Sequence, residues 1–74
     1  MDTPLTITLN GDPYEIVGAL TVSELLARLE IDPRRVAVER NLVVLKRAAF
    51  DHTTIGDADS IEIVNFVGGG SYEG

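Results

Sequence analysis

The sequence predicts an α+β fold: a mixed sheet of four to five strands with one main helix packed on one face. Three observations carry that expectation. Leu5, Ile7 and Leu9 alternate with Thr6, Thr8 and Asn10, which is the period of a strand with one buried face. Val22, Leu25, Leu26 and Leu29 recur at helical spacing and form one apolar stripe. Ser60 to Val67 is the most β-prone stretch of the chain, rich in branched residues that suit a pleated surface.

The remaining elements follow in chain order. Asn10-Gly11-Asp12-Pro13 supplies the backbone freedom and fixed φ of a tight turn, and Tyr14 to Val17 resumes a short strand, so the two strands read as a hairpin. Thr21 stands three residues before Glu24. Its hydroxyl can accept an orphan N–H at the helix start while the carboxylate reaches back to the amide of Thr21. Ser23, Glu24, Arg28 and Glu30 then face outward, and Asp32-Pro33 marks the helix end. Val36, Val38 and the run Leu42 to Leu45 read as two short strands around Asn41, with Glu39 and Arg40 close to the turn. Lys46 to Thr54 has no period and reads as a connecting loop or a short irregular turn anchored by Phe50. Gly56-Asp57-Ala58-Asp59 is a turn, with Asp57 and Asp59 shaping it, and the last strand runs on to Gly68. Strand, strand, helix, two short strands and a long final strand is an order that suits a β-grasp.

Composition narrows the function. Seventy-four residues leave room for one core, so the chain divides into a β-grasp domain over 1–67 and a flexible tail over 68–74. There is no cysteine, which excludes disulfides, thiolate metal sites and a cysteine nucleophile carried by the chain. Twelve acidic against six basic residues give a net charge of −6, unsuited to nucleic-acid phosphates and favourable for basic protein surfaces. No apolar segment approaches membrane-spanning length and no leader pattern precedes the first strand, so the expected location is cytoplasmic, with no membrane partner. His52 has no second ligand at a sensible spacing, so no metal site and no catalytic residue is expected.

Gly68-Gly69-Gly70 directly follows the final strand. Three consecutive glycines bury no side chain and lose the most entropy on ordering, so a packed domain gains nothing from them. Without Cβ atoms, such a backbone can thread a narrow channel in a partner and present a carboxyl group at a distant active site. No lysine follows in the manner of a phosphate-cradling loop. Along the last strand, if Ile61 and Ile63 face the core, the period of two turns Glu62, Val64 and Phe66 outward. Val64 and Phe66 are therefore candidate docking residues.

The run Ile61-Glu62-Ile63-Val64-Asn65-Phe66-Val67-Gly68-Gly69-Gly70, with Val38-Glu39-Arg40-Asn41 and the helix start Thr21 to Leu26, resembles the thiamine-biosynthesis sulfur carriers of the ThiS/MoaD ubiquitin-like family. The resemblance implies a carrier that binds no cofactor itself. Its terminal glycine, here Gly70 with Gly68 and Gly69 giving access, is adenylated by a ThiF-like adenylyltransferase that uses ATP. A sulfur donor then converts it to a thiocarboxylate, with thiazole synthase as the acceptor. One departure stands out: Ser71-Tyr72-Glu73-Gly74 follow, so the Gly70 carbonyl lies in a peptide bond. Either a processing protease removes 71–74, or they are an extension that stays in place. Two alternatives remain open, the small subunit of molybdopterin synthase and a ubiquitin-like modifier or binding module.

Overall fold

A computed structural model describes residues 3–66. The expected hairpin opens the chain: β1 (Pro4–Leu9) pairs antiparallel with β2 (Asp12–Val17). Asn10 and Gly11 between them have φ of 50° and 86°, the two left-handed positions of the two-residue turn whose twist matches paired strands. Pro13 is tolerated because β2 lies at the edge of the sheet, where no neighbour needs its missing N–H.

The helix α1 (Val22–Arg28) starts as the sequence predicts. Thr21 Oγ1 accepts from the Glu24 amide at 3.1 Å and Glu24 Oε1 accepts from the Thr21 amide at 2.9 Å, so the capping box is complete. Its end differs from the expectation at Asp32-Pro33. Leu29 closes the helix and Glu30 takes φ 60°. The Glu30 and Ile31 amides donate to the Ala27 and Leu26 carbonyls at 3.1 and 2.9 Å, the paired bonds of a left-handed C-terminal cap without glycine. Asp32 instead caps a separate 3₁₀ turn, Pro33–Arg35.

That turn leads into β4 (Val36–Arg40), which pairs antiparallel with β5 (Val43–Leu45) around Asn41 and Leu42. The segment expected to be a connecting loop or a short irregular turn contains such a turn and, beyond the expectation, a short strand. A 3₁₀ turn at Arg47–Ala49 leads to Phe50, which is 3% exposed, and β6 (Thr54–Ile55) pairs with β3 (Leu20–Thr21) just before the helix. The Thr53 and Phe50 carbonyls accept from the Val22 and Ser23 amides at 3.0 and 3.1 Å, so this segment satisfies two donors that every helix start leaves open. Ser23 Oγ also donates to the Asp51 carboxylate.

The final strand β7 (Ser60–Asn65) ends within the described residues one position before Phe66, short of the predicted Val67. It lies between β1, parallel, and β4, antiparallel, giving a five-stranded sheet in the order β2-β1-β7-β4-β5. Ile7, Ile16, Val36, Val38 and Ile61 from the sheet pack with Val22, Leu25 and Leu26 from the helix, and Leu20, Phe50 and Ile55 close the sides. This single core fixes the central strand from which the glycine segment continues. No helix among the described residues is long and apolar enough to cross a membrane.

Candidate functional site

The final strand is held from both flanks. The Asn10 amide and side chain prolong the β1 ladder: its backbone N–H donates to the Ile61 carbonyl at 2.9 Å. Its side chain accepts from the Ile63 amide at 2.7 Å and donates to the Ile63 carbonyl at 3.2 Å. On the other flank, Asn41 accepts from the Ser60 amide at 2.9 Å. Asp59 draws these parts together, accepting from Arg40 Nε at 2.9 Å, Asn41 Nδ2 at 3.1 Å and the Gly56 amide at 2.8 Å. Burial alone would raise the Asp59 pKa, but the bonds from Gly56, Asn41 and Arg40 favour the charged form and hold it below the usual carboxylate range. Asp57 Oδ1 accepts from the Thr6 amide at 3.0 Å. Both aspartates therefore shape the turn, as the sequence predicts.

At the far end of the strand the Phe66 amide donates to the Arg35 carbonyl at 2.9 Å, so the last described residue is tied to the end of the 3₁₀ turn that leads into β4. Asp32 accepts from Arg34 in a two-point pair, which together with the Arg34 amide holds its pKa down to about 2; Arg35 lies 3.8 Å from the same carboxylate. The cations beside the strand end are thus engaged by Asp32.

Alternation along β7 follows the predicted sense. Ile61 is fully buried and Ile63 half-buried, whereas Val64 and Phe66 are 56% and 53% exposed. Val64 faces Ala37 on β4, and Glu62 faces Glu39, which in turn faces Val44 on β5. Val44 is 65% exposed. An apolar outer face therefore adjoins a pair of glutamates. Sequence reading found Val64 and Phe66 but missed Glu39 and Val44 as members of this face. The period of two within each strand was available, but the register between strands was needed to align them. Gly68, Gly69 and Gly70 lie outside the described residues. His52 is exposed on the segment before β6, and no metal-binding cluster of His, Cys, Asp or Glu occurs among the described residues.

A mixed five-stranded sheet grasping one capped helix, with the last strand at its centre, defines a ubiquitin-like β-grasp domain. The ThiS family model matches residues 7–70, and the chain belongs to that family. The crystal structure of the thiamine biosynthesis protein ThiS from Geobacter metallireducens is 43% identical, with a TM-score of 0.79, over 89% of this chain and 100% of that one. The sulfur carrier protein ThiS of Bacillus subtilis is 40% identical over 68% of this chain and 76% of its own. A protein named thiazole synthase from Paramagnetospirillum magneticum is 39% identical over 90% of this chain. The chain spans 21% of the length of that relative, about a fifth.

Proposed function

We propose that this chain carries sulfur as a thiocarboxylate on Gly70 and delivers it to thiazole synthase, acting as co-substrate rather than catalyst. The observation that carries this reading is the family match itself, which ends on Gly70, the third glycine beyond a rigidly held strand.

The chemistry is acyl activation. A free carboxylate is a poor acyl electrophile. Its oxygen attacks the α-phosphorus of ATP on a ThiF-like adenylyltransferase, pyrophosphate leaves, and the resulting acyl-adenylate accepts a sulfur nucleophile from the donor as AMP departs. The chain's own contribution is mechanical: β7, pinned by Asn10, Asn41 and the Arg35 carbonyl, is a fixed base, and the glycines offer no side chain to obstruct a channel. Val64 and Phe66 dock the partners. Similarity to a protein named thiazole synthase supports that enzyme as the acceptor. Because Ser71 follows Gly70, a protease must first cleave that bond to free the carboxyl group.

Intact mass spectrometry tests the proposal. Full-length protein and a version ending at Gly70 are incubated with the cognate adenylyltransferase, ATP and a sulfur donor. The truncated version gains one sulfur in place of one oxygen and the full-length version does not. Failure of both to gain it sinks the carrier reading in favour of a modifier or binding module.

A further inference from the structure

The ladder that joins β4 to β7 ends at the Val36–Asn65 pair, and on the opposite flank β1 and the Asn10 side chain reach along β7 to Ile63. The bond from the Phe66 amide to the Arg35 carbonyl, at 2.9 Å, lies one step beyond both. Its acceptor belongs to the 3₁₀ turn Pro33–Arg35 rather than to a strand. Three exposed residues of helix gain little from their own backbone bonds, and this turn is secured by its neighbours in sequence. Pro33 presets the first φ. The Asp32 carboxylate caps the Arg34 amide at 2.9 Å and takes the Arg34 guanidinium at 3.1 and 3.0 Å, while the Asp32 carbonyl accepts from the Arg35 amide at 3.0 Å. The other 3₁₀ turn, Arg47–Ala49, is equally short and has neither a side-chain cap nor a proline. The turn that carries such ties is the one that holds Phe66.

We propose that Asp32 is a positioning residue for the carrier reaction: by capping the Pro33–Arg35 turn it fixes the Arg35 carbonyl, which holds the Phe66 amide and so sets the point from which the glycine segment starts. This rests on the carrier reading and adds to it the residue that prepares the tail for its partner. Four residues separate Phe66 from Gly70, at most about 14 Å of extended chain. Over so short an arm, the place where it begins decides which points the Gly70 carboxyl group can reach. A root already ordered in the free domain spares the complex the entropy of ordering it, which is the gain that preorganisation brings to binding. Asp32 acts through the turn and touches no reacting atom, so it is not a catalytic residue.

The test uses the version ending at Gly70 and its cognate adenylyltransferase. Pyrophosphate release gives kcat and KM for the carrier, hydrogen exchange follows the Phe66 amide, and a melting curve is recorded for each variant. Asp32→Ala speeds exchange at Phe66 by about fivefold or more and raises KM by about fivefold, the cost of ordering one backbone residue on binding, while kcat at saturation stays as in wild type. Pro33→Gly loosens the same turn by a separate route and moves both readings in the same direction. Asp32→Asn keeps an oxygen that can cap the Arg34 amide and restores most of both. Thr21→Ala deletes a cap of the same kind at the helix start; it lowers the melting temperature and leaves KM unchanged, which separates positioning from general stability. If Asp32→Ala and Pro33→Gly speed exchange at Phe66 and KM does not move, or if exchange at Phe66 does not change, the inference is overturned while charging of wild type leaves the carrier reading standing. A KM raised as much by Thr21→Ala also overturns it. If wild type releases no pyrophosphate, the carrier reading fails and this inference with it.

Discussion

The two hairpin turns that flank the last strand meet the same backbone demand with different second residues. Asn10 and Gly11 have φ of 50° and 86°; Asn41 and Leu42 have 52° and 72°. In each turn the asparagine tolerates the left-handed region and uses its side-chain amide to hold β7, at Ile63 in one case and Ser60 in the other. The second positions diverge. Gly11 adopts its angle without strain, whereas Leu42 holds a bulky side chain where L residues are disfavoured, 86% exposed to solvent. The hairpins and the asparagines therefore determine the turn, and the second residue adjusts its stability.

The largest break in that comparison is at Asp59, which only the second turn uses. Asp59→Ala removes acceptors for Arg40, Asn41 and the Gly56 amide together and lowers unfolding free energy by about 3 kcal/mol, the range for losing charged hydrogen bonds in a partly buried site. Urea unfolding measures it. The pH dependence has a fixed sign. The folded pKa of Asp59 lies below its unfolded value, near 3.9 for a free aspartate. Its contribution is therefore fully present above about pH 4 and is lost as pH falls through the folded value. An unfolding series from pH 6 down to pH 2 has a shallower acid limb in Asp59→Ala than in wild type; equal limbs would show that Asp59 is not held in its charged form.

Next in size is Asn10→Ala, which deletes both side-chain bonds to Ile63 and places alanine at φ 50°. The expected loss is about 2 kcal/mol. It also frees the Ile63 amide, so hydrogen exchange there rises more than at the amide of residue 10 itself, which still donates to the Ile61 carbonyl. A uniform rise along β7 would mean that Asn10 acts on the whole fold rather than on the strand end.

What was legible in the sequence divides along the same line between local and long-range signals. The first hairpin and the helix start were readable because alternation, Asn-Gly and the Thr21–Glu24 box act within a few residues. The helix end was misread. Glu30 occupies the left-handed position that usually announces itself as glycine, and Asp32-Pro33 is a true capping signal for a different turn. The Leu20–Thr21 bridge to Thr54–Ile55 was invisible, since two-residue strands have no period and depend on segments far apart in the chain. The outward sense of Val64 and Phe66 followed from period two alone. The Glu39–Glu62 row did not, because it exists only once the register of β4 against β7 is fixed.

Gly11→Ala costs less than Asn10→Ala. Nothing lies within 4 Å of a Cβ built at Gly11, so the loss is backbone strain alone, about 1 kcal/mol. Its counterpart is the smallest effect and the sharpest test of the comparison. Leu42→Gly relieves strain of about 1–2 kcal/mol, offset by about 0.5–1 kcal/mol of added unfolded-state entropy. The exposed leucine forfeits little burial. The net is a gain of about 0.5 kcal/mol, a rise of a few degrees in melting temperature for a domain of this size. If Leu42→Gly instead destabilises the protein, the leucine side chain contributes contacts that outweigh its strain, and the two turns are not variants of one solution.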